Sequence, residues 1–211
     1  MAVPETPFAG CTRRDVVDPG TVEFVRRALA LKDQMRRGWQ RVGIRCISCG
    51  PDASQRGGSP RPESVADHSW GVALLALAAA ESRPTLDRAR LLELAIVHDI
   101  AEALLGDLVP GEYAHKGEKI ARERRALEDL VDTLPLALRG RLLARFEELA
   151  SDSSEEAKLV HQLDKLEMAF QAERYQVQGT PASALEAFHD SAAKGVSDRA
   201  LLDVLTRLRS S

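Results

Sequence analysis

The segment Leu91-Leu92-Glu93-Leu94-Ala95-Ile96-Val97-His98-Asp99-Ile100-Ala101-Glu102 is strongly apolar and then presents a histidine beside an aspartate. Its spacing predicts a helix that packs into a core and carries both groups. Ionisable side chains at the buried end of a helix are costly unless they are paired or bound to metal. Any fold this chain adopts must therefore bring partners to His98 and Asp99.

Two residues are candidates for that task. His68 lies in Glu63-Ser64-Val65-Ala66-Asp67-His68-Ser69, and Asp164 in Val160-His161-Gln162-Leu163-Asp164-Lys165. Each falls on a helical pattern of its own. The order His, His-Asp, Asp makes a mixed nitrogen and oxygen set suited to a divalent first-row metal. Taken singly, His98 also fits a hydrogen-bonded core histidine, and Asp164 a simple pair with Lys165. The combination favours the metal.

The chain of 211 residues suits one domain. Its net charge of −3 gives no basic footprint of the kind nucleic acids require. No apolar run approaches the ~18 residues of a membrane span, and Met1 to Thr12 does not read as a secretory signal. The three cysteines, Cys11, Cys46 and Cys49, are an odd count. They argue against a disulfide framework and point to the cytoplasm.

Helical patterns recur along the chain, and no strand alternation stands out. Residues 1–20 are read as a flexible arm. Thr21 is read as the cap of a first helix to about Arg36, with Val22, Val25, Leu29 and the stem of Lys32 along one face. Residues 42–61 are turn formers and make a long loop. Glu63-Ser64 opens a helix to about Ser82, and Asp87 caps the central helix, which stops near Gly106. Glu118 to Thr133 and Pro135 to Ala150 follow. Ser153-x-x-Glu156 matches a capping box that starts a helix to about Gln178. Pro181 to Asp190 and Ser197 to Arg209 complete an all-α domain over 21–211, with its ligand site between helices.

Arg61-Pro62-Glu63-Ser64-Val65-Ala66-Asp67-His68 and His98-Asp99-Ile100-Ala101-Glu102 through Gly106-Asp107 together resemble the HD-domain superfamily of metal-dependent phosphohydrolases. Gly38-Trp39 and Ser154 to Asp164 extend the match. The closer likeness is to the 5′-deoxynucleotidase branch, including the HD domain-containing protein 2 group. That resemblance implies a helical bundle with one divalent cation on His68, His98, Asp99 and Asp164; Mn²⁺, Co²⁺, Mg²⁺ and Zn²⁺ are the candidates. It also implies a homodimer and hydrolysis of nucleoside 5′-monophosphates, with 2′-deoxyribonucleotides preferred.

Glu102 shares the ligand face one turn on and is the candidate for proton transfer. Its alternative is to hydrogen-bond a ligand histidine. Asp107 is a second catalytic candidate, or else a turn residue after Gly106. Arg37 and Trp39 are the substrate-binding candidates, with Arg36 and Arg41 nearby. Arg suits bidentate phosphate contact, and Trp39 is read as packing against sugar or base. The alternative for the arginines is a solvated helix end.

Two positions depart from the family's pattern. Bacterial members carry an Arg directly before the Trp, where this chain has Gly38. The loop after Trp39 is long and holds Cys46-x-x-Cys49, read as free thiols over half a zinc site. His115, His161 and His189 form no clean second metal set. Other readings are phosphatase action on a modified nucleotide or small phosphate ester, pyrophosphate hydrolysis, and a metal-binding protein without turnover. Ala103 after Glu102 counts against an alarmone hydrolase, and intact Glu102 and Asp107 count against a decayed site.

Overall fold

The computed structural model describes residues 18–44, 61–109 and 111–209. Every regular element among them is helical. The Cys46–Cys49 pair and nearly all of the N-terminal arm lie outside the described residues. Helices α1 (Pro19–Ala28), α2 (Arg37–Arg41), α3 (Val65–Glu81), α4 (Arg88–Val97) and α5 (Glu102–Leu105) form the first half. Helices α6 (Lys116–Leu130), α7 (Leu136–Ser151), α8 (Glu155–Val177), α9 (Ala182–Gly195) and α10 (Arg199–Arg209) form the second. α8 is the central column and packs against α3, α4, α7, α9 and α10.

The first helix differs from its sequence reading. Asp18, not Thr21, is the cap: its carboxylate accepts from the Gly20 and Thr21 amides, with Pro19 in the first turn. The helix thus begins inside the expected arm. It ends at Ala28, a 3₁₀ turn follows at Leu29–Lys32, and the chain then straightens. Val22, Val25 and Leu29 are exposed. Phe24, Ala28 and Leu31 pack on the core instead. Both sets have helical spacing, so pattern alone could not choose between them.

Straightening positions the site. Met35 and Ser64 form an isolated antiparallel bridge. The Arg36 amide donates to the Glu63 carbonyl at 2.9 Å, and the Val65 amide to the Gln34 carbonyl at 2.8 Å. These bonds tie the segment before α2 to the start of α3. Ser64 and Asp67 close a capping box there, each accepting the other's backbone amide.

The large core joins α3, α4, α6, α7 and α8 through Val72, Leu94, Leu127, Phe146 and Leu163. A smaller one gathers Trp39, Ile44, Met168, Ala172, Tyr175 and Leu185. The α8 cap is Ser154, one residue later than the Ser153 box predicts; its hydroxyl accepts from the Ala157 amide. Glu156 reaches away to accept the Asp87 amide at 2.9 Å, joining the starts of α8 and α4.

Candidate metal centre

His68 sits one turn into α3 and is fully buried. Its Nδ1 lies 2.5 Å from Glu167 Oε2 on α8. A carboxylate at that nitrogen fixes the proton there and leaves Nε2 facing inward. Gly71, one turn further along α3, makes room for it. A Cβ at Gly71 would fall 2.7 Å from Glu167 Oε1.

The central helix does not run through His98-Asp99 to Gly106. It stops at Val97, and a tight turn precedes α5. Within it the amides of Ile100, Glu102 and Ala103 bond three residues back, to Val97, Asp99 and Ile100. Three-residue winding stacks positions i and i+3, which aligns Asp99 with Glu102. His98 Nδ1 donates to the Ala95 carbonyl at 2.8 Å, so its Nε2 also faces inward.

Four side chains converge. His68 Nε2 is 3.1 Å from Asp164 Oδ1 and 3.8 Å from Asp99 Oδ2. His98 Nε2 is 3.2 Å from the same Asp99 oxygen. Ligand atoms of His68, His98 and Asp164 all lie within 4.8 Å of one another. The other Asp164 oxygen takes Lys165 at 2.9 Å. The Lys165 pair and the cluster therefore coexist on one carboxylate.

The fit to a cation rests on orphaned atoms. His68 Nε2 and His98 Nε2 are both buried without a hydrogen-bond partner. Each ring has its other nitrogen satisfied, so each offers an inward lone pair. Two neutral imidazoles and two carboxylates suit a divalent first-row cation. Burial works against charge on Asp99, but the two histidines outweigh it and hold its pKa well below the carboxylate range. Lys165, His68 and Arg36 do the same for Asp164. Both stay ionised as ligands must.

Glu102 opens α5 and is 4% exposed. Burial, Asp99 and Asp107 together push its pKa up to about 9. Asp107 stands near enough to raise it, while its Oδ2 accepts the Arg37 amide at 2.5 Å and so caps α2. Lys119 of α6 pairs with Glu123 at 2.9 Å, and Asp99 and Glu102 help hold its charge.

The two substrate-binding candidates change role. Trp39 is 1% exposed, stacked on Phe188 at 3.8 Å and edge-on to Tyr175 at 5.1 Å. Its Nε1 donates to Glu63 Oε1 at 2.7 Å. It is a core residue, because the α8–α9 corner needs a large ring there. Arg37 points outward and pairs with Glu112 at 2.5 Å. Arg36 turns inward instead: Glu63, Asp164, Asp99 and Glu167 all surround its charge.

The remaining histidines serve elsewhere. His115 caps α6 and accepts the Glu118 amide. His161 meets the Leu149 carbonyl and Asp152. His189 is buried on α9. Glu148 ties α4, α7 and α8 by accepting from Arg90, Arg145 and Ser154. Glu63, Lys119 and Glu167 escaped the sequence reading. Glu167 had a signal, since it lies three residues after Asp164 and shares its helix face.

Known proteins resemble this chain along most of its length. The HD domain family matches residues 52–201. The chain is 34% identical over 191 residues to 5′-deoxynucleotidase HDDC2 of Mus musculus, covering 90% of this chain and 87% of that protein. It is 32% identical over 209 residues to the Homo sapiens protein of the same name, covering 99% and 92%. A conserved hypothetical protein from Pyrococcus furiosus superposes with a TM-score of 0.67 at 27% identity, covering 90% of this chain and 99% of that one. The chain belongs to the HD-domain family, in its 5′-deoxynucleotidase branch.

Proposed function

We propose that this protein hydrolyses nucleoside 5′-monophosphates to nucleoside and phosphate, with 2′-deoxyribonucleotides preferred. The carrying observation is the pair of buried, unpartnered Nε2 atoms of His68 and His98 facing Asp99 and Asp164. The named activity of the relatives supports the substrate class.

In this reading His68, His98, Asp99 and Asp164 hold one divalent cation. A cation there would polarise a phosphoryl oxygen and lower the pKa of bound water. Glu102 supplies the proton. Burial favours its protonated form, from which it would donate to the leaving 5′-oxygen. Asp107 helps keep Glu102 protonated while anchoring α2. The test is phosphate release from a nucleotide panel after the protein is stripped of metal and reloaded with Mn²⁺, Co²⁺, Mg²⁺ or Zn²⁺. No release from any 5′-monophosphate would overturn the reading.

A homodimer and cytoplasmic residence belong to the same proposal. Trp70, Leu74 and Leu77 form an exposed apolar stripe on α3, with Trp70 70% exposed. Such a stripe supports self-association, which light scattering measures directly.

A further inference from the structure

Trp70 is a large aromatic ring left on the surface. Leu74 and Leu77 follow it along α3 at 50% and 51% exposed. The neighbouring helix α8 repeats the pattern with Phe170, Arg174 and Val177, of which Val177 is 83% exposed. Both sets fall at i, i+4 and i+7, so each makes a stripe along one helix face. α3 packs directly against α8. Single exposed apolar residues need no explanation, but residues gathered on two packed helices mark an interaction surface.

The shape and charge of this surface select its partner. A groove of about 650 Å³ runs between the two helices, with Trp70 and Leu74 from one and Phe170 and Arg174 from the other. Trp70 also borders a second hollow of about 390 Å³, beside Lys32 and Ala66. The indole is therefore a ridge between two depressions. A knob and a hole on one patch are what a two-fold interface needs, since each copy must supply both. The charges agree. Glu173 and Arg174 both line the groove, and neither makes an ion pair among the described residues. A two-fold axis sets the cation of each copy against the anion of the other, whereas a partner of one charge sign would leave like charges facing. The area is sufficient. α3 has 17 residues and so is about 25 Å long, and two packed helices are about 20 Å wide. That corrugated face is of the size each partner gives up in a standard interface, about 800 Å².

The groove also reaches the metal centre from outside. Gly71 and Glu167 line it, and Glu167 is the residue that holds His68 Nδ1. An indole seated in the groove would displace water from the outer side of Glu167. A hydrogen bond shielded from water is stronger than one beside it. We infer that a second copy of this chain docks across the α3–α8 groove, the Trp70 of each copy seated in the groove of the other, and that docking and metal binding strengthen each other through Glu167. The inference rests on the homodimer and metal readings and adds the surface and the link between them.

The test is sedimentation equilibrium of the full chain as wild type, Trp70→Ala, Leu74→Arg and Leu136→Ala, with and without Mn²⁺, together with Mn²⁺ titration of each. The wild type should be a dimer. Trp70→Ala and Leu74→Arg should weaken it about thirtyfold or more, as for a central anchor of an interface. Both positions are solvent-facing, so helicity should be unchanged. Leu136 is 84% exposed on α7, away from this surface, and its variant should keep the dimer. The two weakened variants, as monomers, should bind Mn²⁺ about fivefold or more weakly than the wild-type dimer. Mn²⁺ should tighten the wild-type dimer in turn, because coupling between two binding events is reciprocal. A monomeric wild type would overturn the homodimer reading and this inference with it. A dimeric wild type whose Trp70→Ala and Leu74→Arg variants dimerise as tightly would overturn this inference alone and move the dimer to another surface. Monomeric variants with wild-type Mn²⁺ affinity would overturn the link through Glu167. A wild type that binds no Mn²⁺ would overturn the metal reading and the link together, while the variants would still assign the surface.

Discussion

Glu167 on α8 grips the far nitrogen of His68 on α3 at 2.5 Å, across a gap that Gly71 keeps open. The contact joins two helices and sets which imidazole nitrogen faces Asp164. Two substitutions test it. Glu167→Gln leaves the space filled but weakens the acceptor, and should lower metal affinity about 10–100-fold. Gly71→Ala gains ~1 kcal/mol of helix propensity. Overpacking against Glu167 costs about 1–3 kcal/mol, so the net change should be destabilising. Metal titration and chemical denaturation measure the two effects. Unchanged metal affinity in Glu167→Gln would mean the bond does not orient His68.

Glu102→Ala should retain the metal and lose turnover by about 10²–10⁴-fold, the usual contribution of a placed acid or base. Glu102→Gln should do the same, because it keeps the shape but cannot release a proton. Metal content and kcat read on one sample decide it. Metal lost along with activity would reassign Glu102 to the ligand set.

Trp39→Phe should destabilise the fold more than it alters substrate affinity. The indole is sealed between Phe188 and Tyr175, and its N–H is bonded to the buried Glu63 carboxylate. Losing a hydrogen bond to a charged group costs about 1.5–3 kcal/mol. Denaturant midpoints and KM for dAMP separate the two effects. A large KM change at unchanged stability would restore Trp39 as a substrate contact.

Metal affinity should rise with pH from about 6 to 9. Burial and Arg36 push the His68 pKa down, but the nearby Asp164 and Glu167 carboxylates outweigh them and lift it to about 9. Below that value His68 binds a proton in the cation-free protein, and a cation must displace it. Each unit of pH in this window therefore gains up to about tenfold in affinity. Calorimetric titration in buffers of different ionisation enthalpy should count close to one proton released at pH 7.5. No released proton, with a flat pH profile, would contradict the His68 assignment.

Much of this centre was legible in the chain because it is written in local runs. His68 follows a capping box, Ser64 and Asp67, that fixes where α3 begins. His98-Asp99 follows an apolar helix, and Asp164 lies on a long one opened by the Ser154 cap. What escaped depended on contacts between distant segments. Arg36 and Arg37 are adjacent and chemically identical, and only the Met35–Ser64 bridge turns one inward and the other toward Glu112. The break at Val97 escaped because an apolar run reads the same through a tight turn as through a helix. Trp39 reads as a ligand platform or a core ring alike until α8 and α9 close over it.

The central claim is that one cation on four side chains drives phosphomonoester hydrolysis. The direct measurement compares metal content and phosphate release from dAMP, AMP and dATP for the wild type and Asp164→Ala, each stripped of metal and reloaded with Mn²⁺. The wild type should bind one equivalent and release phosphate from dAMP faster than from AMP, with dATP poor. Asp164→Ala should lose both metal and activity while keeping its helicity. Full turnover in Asp164→Ala, or faster release from dATP than from dAMP in the wild type, would contradict the account.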